Sequence, residues 1–253
     1  MTALIVAVIV FVCTLAGALL GIYLSVRLPK QHRESDSKSA IQLVMGLIAS
    51  VAALVLGLLI SSTHSSFDAQ QAEVRRLAVH LFELERTLAR LGPDGDEARH
   101  LLRAIVQSDA KRIWPDIEVP AVAYQPLQAQ AEGEKLLDRI ANLSPKTDPQ
   151  RVNQMRALQL AQTVGETRLL LGEQERGSLS WPFLVVLIFW LAVLFVGFGL
   201  FVRFNATVFA ALVIGALSVA GAIFLILEMN QPYSGVMRIS DAPIRDALSQ
   251  MAP

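Results

Sequence analysis

Cysteine is nearly absent from these 253 residues: Cys13 is the only one, and it lies inside an apolar run. One thiol cannot close an intrachain disulfide, so cysteine usage says nothing about redox compartment. Neither sign of charge is in excess, because 22 basic side chains balance 22 acidic ones. That balance gives no reason to expect nucleic acid as a partner. Histidine is sparse, and His32, His64, His80 and His100 form no cluster with zinc spacing. The GxGxxG fingerprint, the P-loop and the GxSxG elbow are all missing. These absences leave no catalytic set, no cofactor fingerprint and no metal site. Charge itself is missing from four long stretches.

Apolar residues fill those stretches: the chain is 53% hydrophobic, with a mean hydropathy of +0.48. Residues 206–227 run for about 22 positions without a charge, long enough to cross a hydrocarbon core of about 30 Å. Glu228 ends the run abruptly, and Pro232 and Gly235 close off any continuation of the helix. Runs at 3–26, 40–60 and 182–202 match it. The first has no basic residue before it and is about twice as long as a signal-peptide core, so it reads as a retained membrane helix. The expected fold is all-α and polytopic, with four transmembrane helices in two hairpins and a helical extramembrane bundle between them. Its parts are a hairpin at 1–60, a bundle at 61–180, a second hairpin at 181–228 and a tail at 229–253 that docks on the bundle.

Within the bundle, Val74, Leu77, Leu81, Leu84, Leu88 and Leu91 alternate by three and four, a heptad seam. Nothing breaks a helix between Ile60 and Leu91, so the second membrane helix is expected to leave the bilayer as one rod. Gly92-Pro93-Asp94-Gly95 stops it. Asp94 or Asp96 is expected to cap a second helix with Ala98, Leu101, Leu102, Ile105 and Val106 inward. Trp114-Pro115 ends that helix, and Pro120 and Pro126 mark an irregular connection. A third helix carries Leu136, Leu137 and Ile140. Asp148 as cap and Pro149 at the first position open a fourth, with Val152, Met155 and Leu158 inward. His80, Glu83, Glu85 and His100 could meet in an enzyme-like group, but a solvated coiled-coil face explains them more simply.

Basic residues set the expected orientation. Arg27, Lys30, Arg33 and Lys38 make the densest basic cluster in any short loop, and Arg203 falls on the same side. The positive-inside rule puts that side in the cytoplasm. The bundle and both termini then lie in the periplasm, with the chain a multi-pass protein of a bacterial inner membrane. Trp181 is placed as an interface anchor.

Two sets of residues stand out as candidate sites. Gly46, Ser50, Ala53 and Gly57 recur every three or four positions and share one helix face, widened by Ala49. With Ser61 and His64 beyond them, they form a candidate pore-lining or helix-packing seam. Gly17 and Gly21 form a separate GxxxG, a close-packing motif. The second set is Glu228, Pro232, Gly235 and Arg238, a candidate tail-docking device. There the acid either stays hydrated at the boundary or pairs with an arginine from Arg75, Arg76, Arg176 or Arg238.

The stretch from Leu225 to Gly235 reads Leu-Ile-Leu-Glu-Met-Asn-Gln-Pro-Tyr-Ser-Gly, followed by Arg238-Ile239-Ser240. With Ile113-Trp114-Pro115, Leu179-Ser180-Trp181-Pro182 and Arg203-Phe204-Asn205, it resembles the bacterial bestrophin-like family of four-helix membrane proteins. That family's helix-four exit is an apolar run, an acid, then Arg-Pro-Phe-x-Gly. Here Gln231 replaces the basic residue and Tyr233 the phenylalanine. The resemblance implies kinship to anion channels that assemble as pentamers. The expected function is an oligomeric ion channel or pore, with the lipid bilayer, copies of itself and an inorganic ion as partners. A non-conducting membrane scaffold or sensor, whose bundle binds another protein, is the alternative.

Overall fold

The computed structural model describes residues 2–27, 35–114, 126–174, 181–202 and 205–251. Lys30, Arg33, Pro115, Pro120, Arg176 and Arg203 lie outside them, as do the side chains of Lys38 and Trp181. Eight α-helices and one short 3-10 turn make up the described chain. They fall into two compact units.

The first unit comprises Met1–Phe67, Ser178–Gln231 and Gly235–Met237. It holds α1 (Thr2–Arg27), the first part of α2 (Ser35–Ala89), α6 (Trp181–Phe201) and α7 (Ala206–Met229). Four helices are long and apolar enough to cross a membrane: Ala3–Arg27, Ile41–Ala89, Pro182–Phe201 and Ala206–Met229. Asn205 caps α7 from an extended conformation, its Oδ1 accepting from the Val208 amide at 2.7 Å.

Glycine decides how α1 packs. A methyl group on Gly17 would stand 2.9 Å from the Ala192 carbonyl oxygen of α6, and one on Gly21 would fall on the Val196 carbonyl. From the other side, a methyl on Gly199 would lie 2.9 Å from the Ile22 amide nitrogen. The two backbones touch, as small residues permit in lipid. The GxxxG of α1 therefore finds its partner within the same chain. Ala18 joins Phe195 of α6 and Ala216 of α7 in a second small core. Across the unit, α2 contributes Met45, Ile48, Ala49, Ala52, Val55, Leu56 and Leu59 to a core with Leu184, Leu187, Leu191 and Leu194 of α6. The Met45 side chain lies over Gly197, where a Cβ would displace it.

Helix α2 runs unbroken for 55 residues, about 80 Å at 1.5 Å per residue. Its later part belongs to the second unit, which comprises Asp68–Gly177, Pro232–Ser234 and Arg238–Pro253. There the six heptad positions from Val74 to Leu91 are all buried. The chain leaves α2 through Gly92, at φ +72, and a 3-10 turn over Gly92–Gly95. Helix α3 (Asp96–Ile113) begins after Gly95 with no side-chain cap. Asp96, expected to cap it, is its first residue and instead accepts from Arg99 Nη1 at 3.1 Å.

Helix α4 (Pro126–Ala141) buries Leu136 and Ile140. Helix α5 (Asp148–Gln174) departs from expectation in two ways. Its cap is Thr147, one residue earlier than Asp148: Thr147 Oγ1 accepts from the Gln150 amide at 3.4 Å. Gln150 Oε1 in turn accepts from the Lys146 amide at 2.9 Å, a variant of the reciprocal capping box. Val152 and Met155 are exposed, and the inward positions are Ala157, Leu160, Ala161, Val164 and Leu171. Gln154 explains this register. Its Nε2 donates to the carbonyls of Ile140, Ala141 and Leu143 at 2.9 to 3.1 Å, closing the C-terminus of α4.

Helix α8 (Ala242–Gln250) lies in the same unit and packs on α3. Ile239, Ile244, Leu248 and Met251 are buried. Trp114 Nε1 donates to the Ile239 carbonyl at 2.9 Å, and Arg103 Nη1 to the Met251 carbonyl at 3.0 Å. The Tyr233 ring meets Trp114 edge to face, with centroids 5.7 Å apart.

Candidate functional site

The seam on α2 consists of small residues that leave a flat, polar-flecked strip on an otherwise apolar helix. Gly46, Ser50, Ala53, Gly57, Ser61 and His64 are all exposed. A Cβ added to Gly46 or Gly57 would meet nothing within 4 Å. Ala49 borders this strip, half-buried at the edge of the core with α6. The Ser50 hydroxyl donates back to the Gly46 carbonyl at 2.9 Å, which satisfies its proton and leaves its oxygen facing outward. Over the most apolar 18 residues of each span, only 6% of α2 is buried, against 33%, 39% and 22% for the other three. One face of α2 thus holds it to its own chain. The small-residue face, from Gly46 to Gly57, is left uncovered by the described residues.

The exit of α7 folds back over its last acid. Glu228 is 6% exposed, so it is not hydrated at a boundary. Its Oε1 accepts from the Val236 amide at 2.8 Å. The chain between them turns back through Gln231, whose amide donates to the Glu228 carbonyl at 3.0 Å. Gly235 sits at φ +89, where L side chains are strained, and a Cβ there would fall on the Glu228 carboxylate. The acid and the glycine are parts of one turn, which accounts for the acid-to-glycine spacing. Pro232 and Arg238 belong to the second unit, where the Pro232 carbonyl accepts from the Ile239 amide at 2.7 Å.

The two carboxylates of the enzyme-like group face arginines. Glu85 is buried, and one of its oxygens accepts both Arg99 Nε at 2.9 Å and Arg99 Nη2 at 2.7 Å. That hydrogen bonding raises the Arg99 pKa, outweighing partial desolvation. Glu83 lies 3.8 Å from Arg156, and His100 is exposed. Among the described residues no group of His, Cys, Asp and Glu is placed to hold a metal ion. The burial of Glu85 is not signalled in the sequence. Only an arginine placed just after the helix break hints at a partner.

These features define a four-span helical membrane protein with an uncovered small-residue face on its longest helix and a carboxylate-closed turn after its last span. The sequence profile of the Bestrophin-like domain matches residues 12–244. The chain belongs to the bestrophin-like family. Its fold is that of crystal structures of a bacterial bestrophin homologue from Klebsiella pneumoniae. One point variant of that homologue superposes with a TM-score of 0.71 at 12% identity, over 97% of each chain. A second point variant gives 0.69 at 13% identity, over 99% of this chain and 96% of the other. No curated protein matches the sequence.

Proposed function

We propose that this chain is the subunit of an oligomeric ion channel in which the small-residue face of α2 lines a shared axis. The observation that carries this reading is the division of α2 into two faces. One packs on α6, and the other, from Gly46 to Gly57, is open. Small residues on a membrane helix favour close approach of another backbone or leave room for a narrow path. Family membership supports the choice of a channel. The polar groups offered along the seam are the Ser50 and Ser61 hydroxyls and His64, which suit a weakly selective path for a hydrated inorganic ion.

The bundle and termini are assigned to the periplasmic side of a bacterial inner membrane, opposite the basic cluster that includes Arg27 and Lys38. One observation favours the second reading, a non-conducting scaffold: the 40–60 run carries no ionisable side chain. Planar-bilayer recording of the purified protein separates the two. A current that Gly57→Trp reduces by more than half supports the channel. No current above background with common anions or cations excludes it.

A further inference from the structure

The bundle unit holds a cleft of about 450 Å³ between α2, α3, α4 and α5. Its walls are mostly aliphatic, with Leu81, Ile105, Leu136 and Val164 contributed by the four helices in turn. The volume lies within the usual range for small-molecule sites. It corresponds to about fifteen non-hydrogen atoms, taking roughly 30 Å³ for each.

Two glycines show that the space is kept open. Gly133 and Gly165 both line the cleft from inside helices, where glycine is a poor choice. Close packing does not account for either. A Cβ on Gly165 would meet nothing within 4 Å, and one on Gly133 would meet only Arg168 Nη1, at 3.7 Å. Alanine would fit at both positions and favour the helix, so what glycine preserves there is the volume itself.

The polar part of the lining gives the ligand its sign. Among the described residues, Asp109, Glu166 and Arg168 line the cleft, an excess of one negative charge. Arg168 Nε is already held by Asp109 at 2.6 Å, so that pair is largely neutral and the negative excess belongs to Glu166. Trp114 lines the same space, and indole is a surface on which ammonium groups are stabilised.

We propose that this cleft binds a hydrophobic monocation of the alkylammonium class. The apolar tail lies among the aliphatic walls, and the ammonium head is held by the Glu166 carboxylate. This site is separate from the α2 seam and does not depend on the channel reading.

The test uses the full chain in lipid nanodiscs, titrated calorimetrically with octyltrimethylammonium, octanoate and octanol, with empty nanodiscs subtracted. Saturable binding of the cation is expected, about tenfold or more tighter than that of octanoate. Gly165→Leu, which fills the cleft, should abolish it. Gly165→Ala guards against simple damage to the fold. It should weaken binding roughly fivefold while raising the melting temperature of the ligand-free protein. Absence of saturable binding, unchanged affinity in both glycine variants, or tighter binding of octanoate would each overturn the proposal.

Discussion

Replacing Gly235 by alanine makes two separate demands on the turn after α7. The backbone sits at φ +89, where an alanine costs about 1–2 kcal/mol. The added methyl would also crowd the Glu228 carboxylate, with Cδ only 2.8 Å away. That carboxylate is buried and holds the Val236 amide at 2.8 Å, so moving it forfeits the bond. A hydrogen bond to a charged group is worth about 1.5–3 kcal/mol. Together the two effects come to about 3–4 kcal/mol. For a chain of this length that corresponds to a fall of about 10 °C in melting temperature. The two parts can be separated. In a Glu228→Ala background the carboxylate is gone, and Gly235→Ala should cost only the backbone strain, about 1–2 kcal/mol. The coupling energy of the pair should then be about 2 kcal/mol. Glu228→Gln keeps an acceptor and should cost about 1 kcal/mol or less. Melting of the five detergent-solubilised proteins, the parent and the four variants, measures all of this. Equal cost of Gly235→Ala in both backgrounds would refute the coupling of acid and glycine.

Gly21→Ala and Gly199→Ala each push a methyl into a backbone and should lower melting temperature strongly, whereas Gly57→Ala fills open space and should raise subunit stability by up to about 1 kcal/mol; the three melts are compared side by side. Arg99→Ala strands Glu85 in the bundle and should destabilise it by about 2–4 kcal/mol, read by the same melt. The raised Arg99 pKa means that its stabilisation is present below arginine's ordinary pKa and lost only as pH rises through the raised value, so the guanidinium introduces no pH dependence at working pH. A reporter active only in the cytoplasm should give signal when fused after Lys38 and none after Asp94; the reverse pattern inverts the orientation. A fragment spanning residues 65–175 lacks Ile239, Ile244 and Leu248, which are buried in its unit, so it should melt well below a bundle that retains the tail.

Much of the fold is legible in the order of residues alone. Four uncharged runs announce four membrane helices, because only a helix satisfies its own backbone in lipid. The heptad from Val74 to Leu91 and the absence of any breaker after Ile60 announce one long α2. The pairing of the membrane helices is not legible. Those runs are apolar on every side, so periodicity marks no buried face. Only glycine spacing hints at one, and Gly17 and Gly21 do not name Gly199 as their partner. The inward register of α5 is hidden because Gln154, a polar residue, fixes it by capping α4. At the candidate sites, the spacing of the seam is plain, but the packing of a single chain does not supply what it faces. The burial of Glu228 is invisible in the sequence because it accepts from a backbone amide, a group every residue except proline possesses.

The contact between α1 and α6 also has a consequence in time. Gly21 leaves the ribosome more than 170 residues ahead of Val196 and Leu200, against which it packs. At synthesis rates of about 5–20 residues per second, α1 waits roughly 10 to 35 s for its partner. During that interval it must reside in lipid without α6, its small-residue groove open. Its complete lack of charge before Arg27 makes such waiting tolerable. The same open groove can also accept a helix from a neighbouring nascent chain, so assembly of this protein is a race that faster synthesis of α6 would help it win.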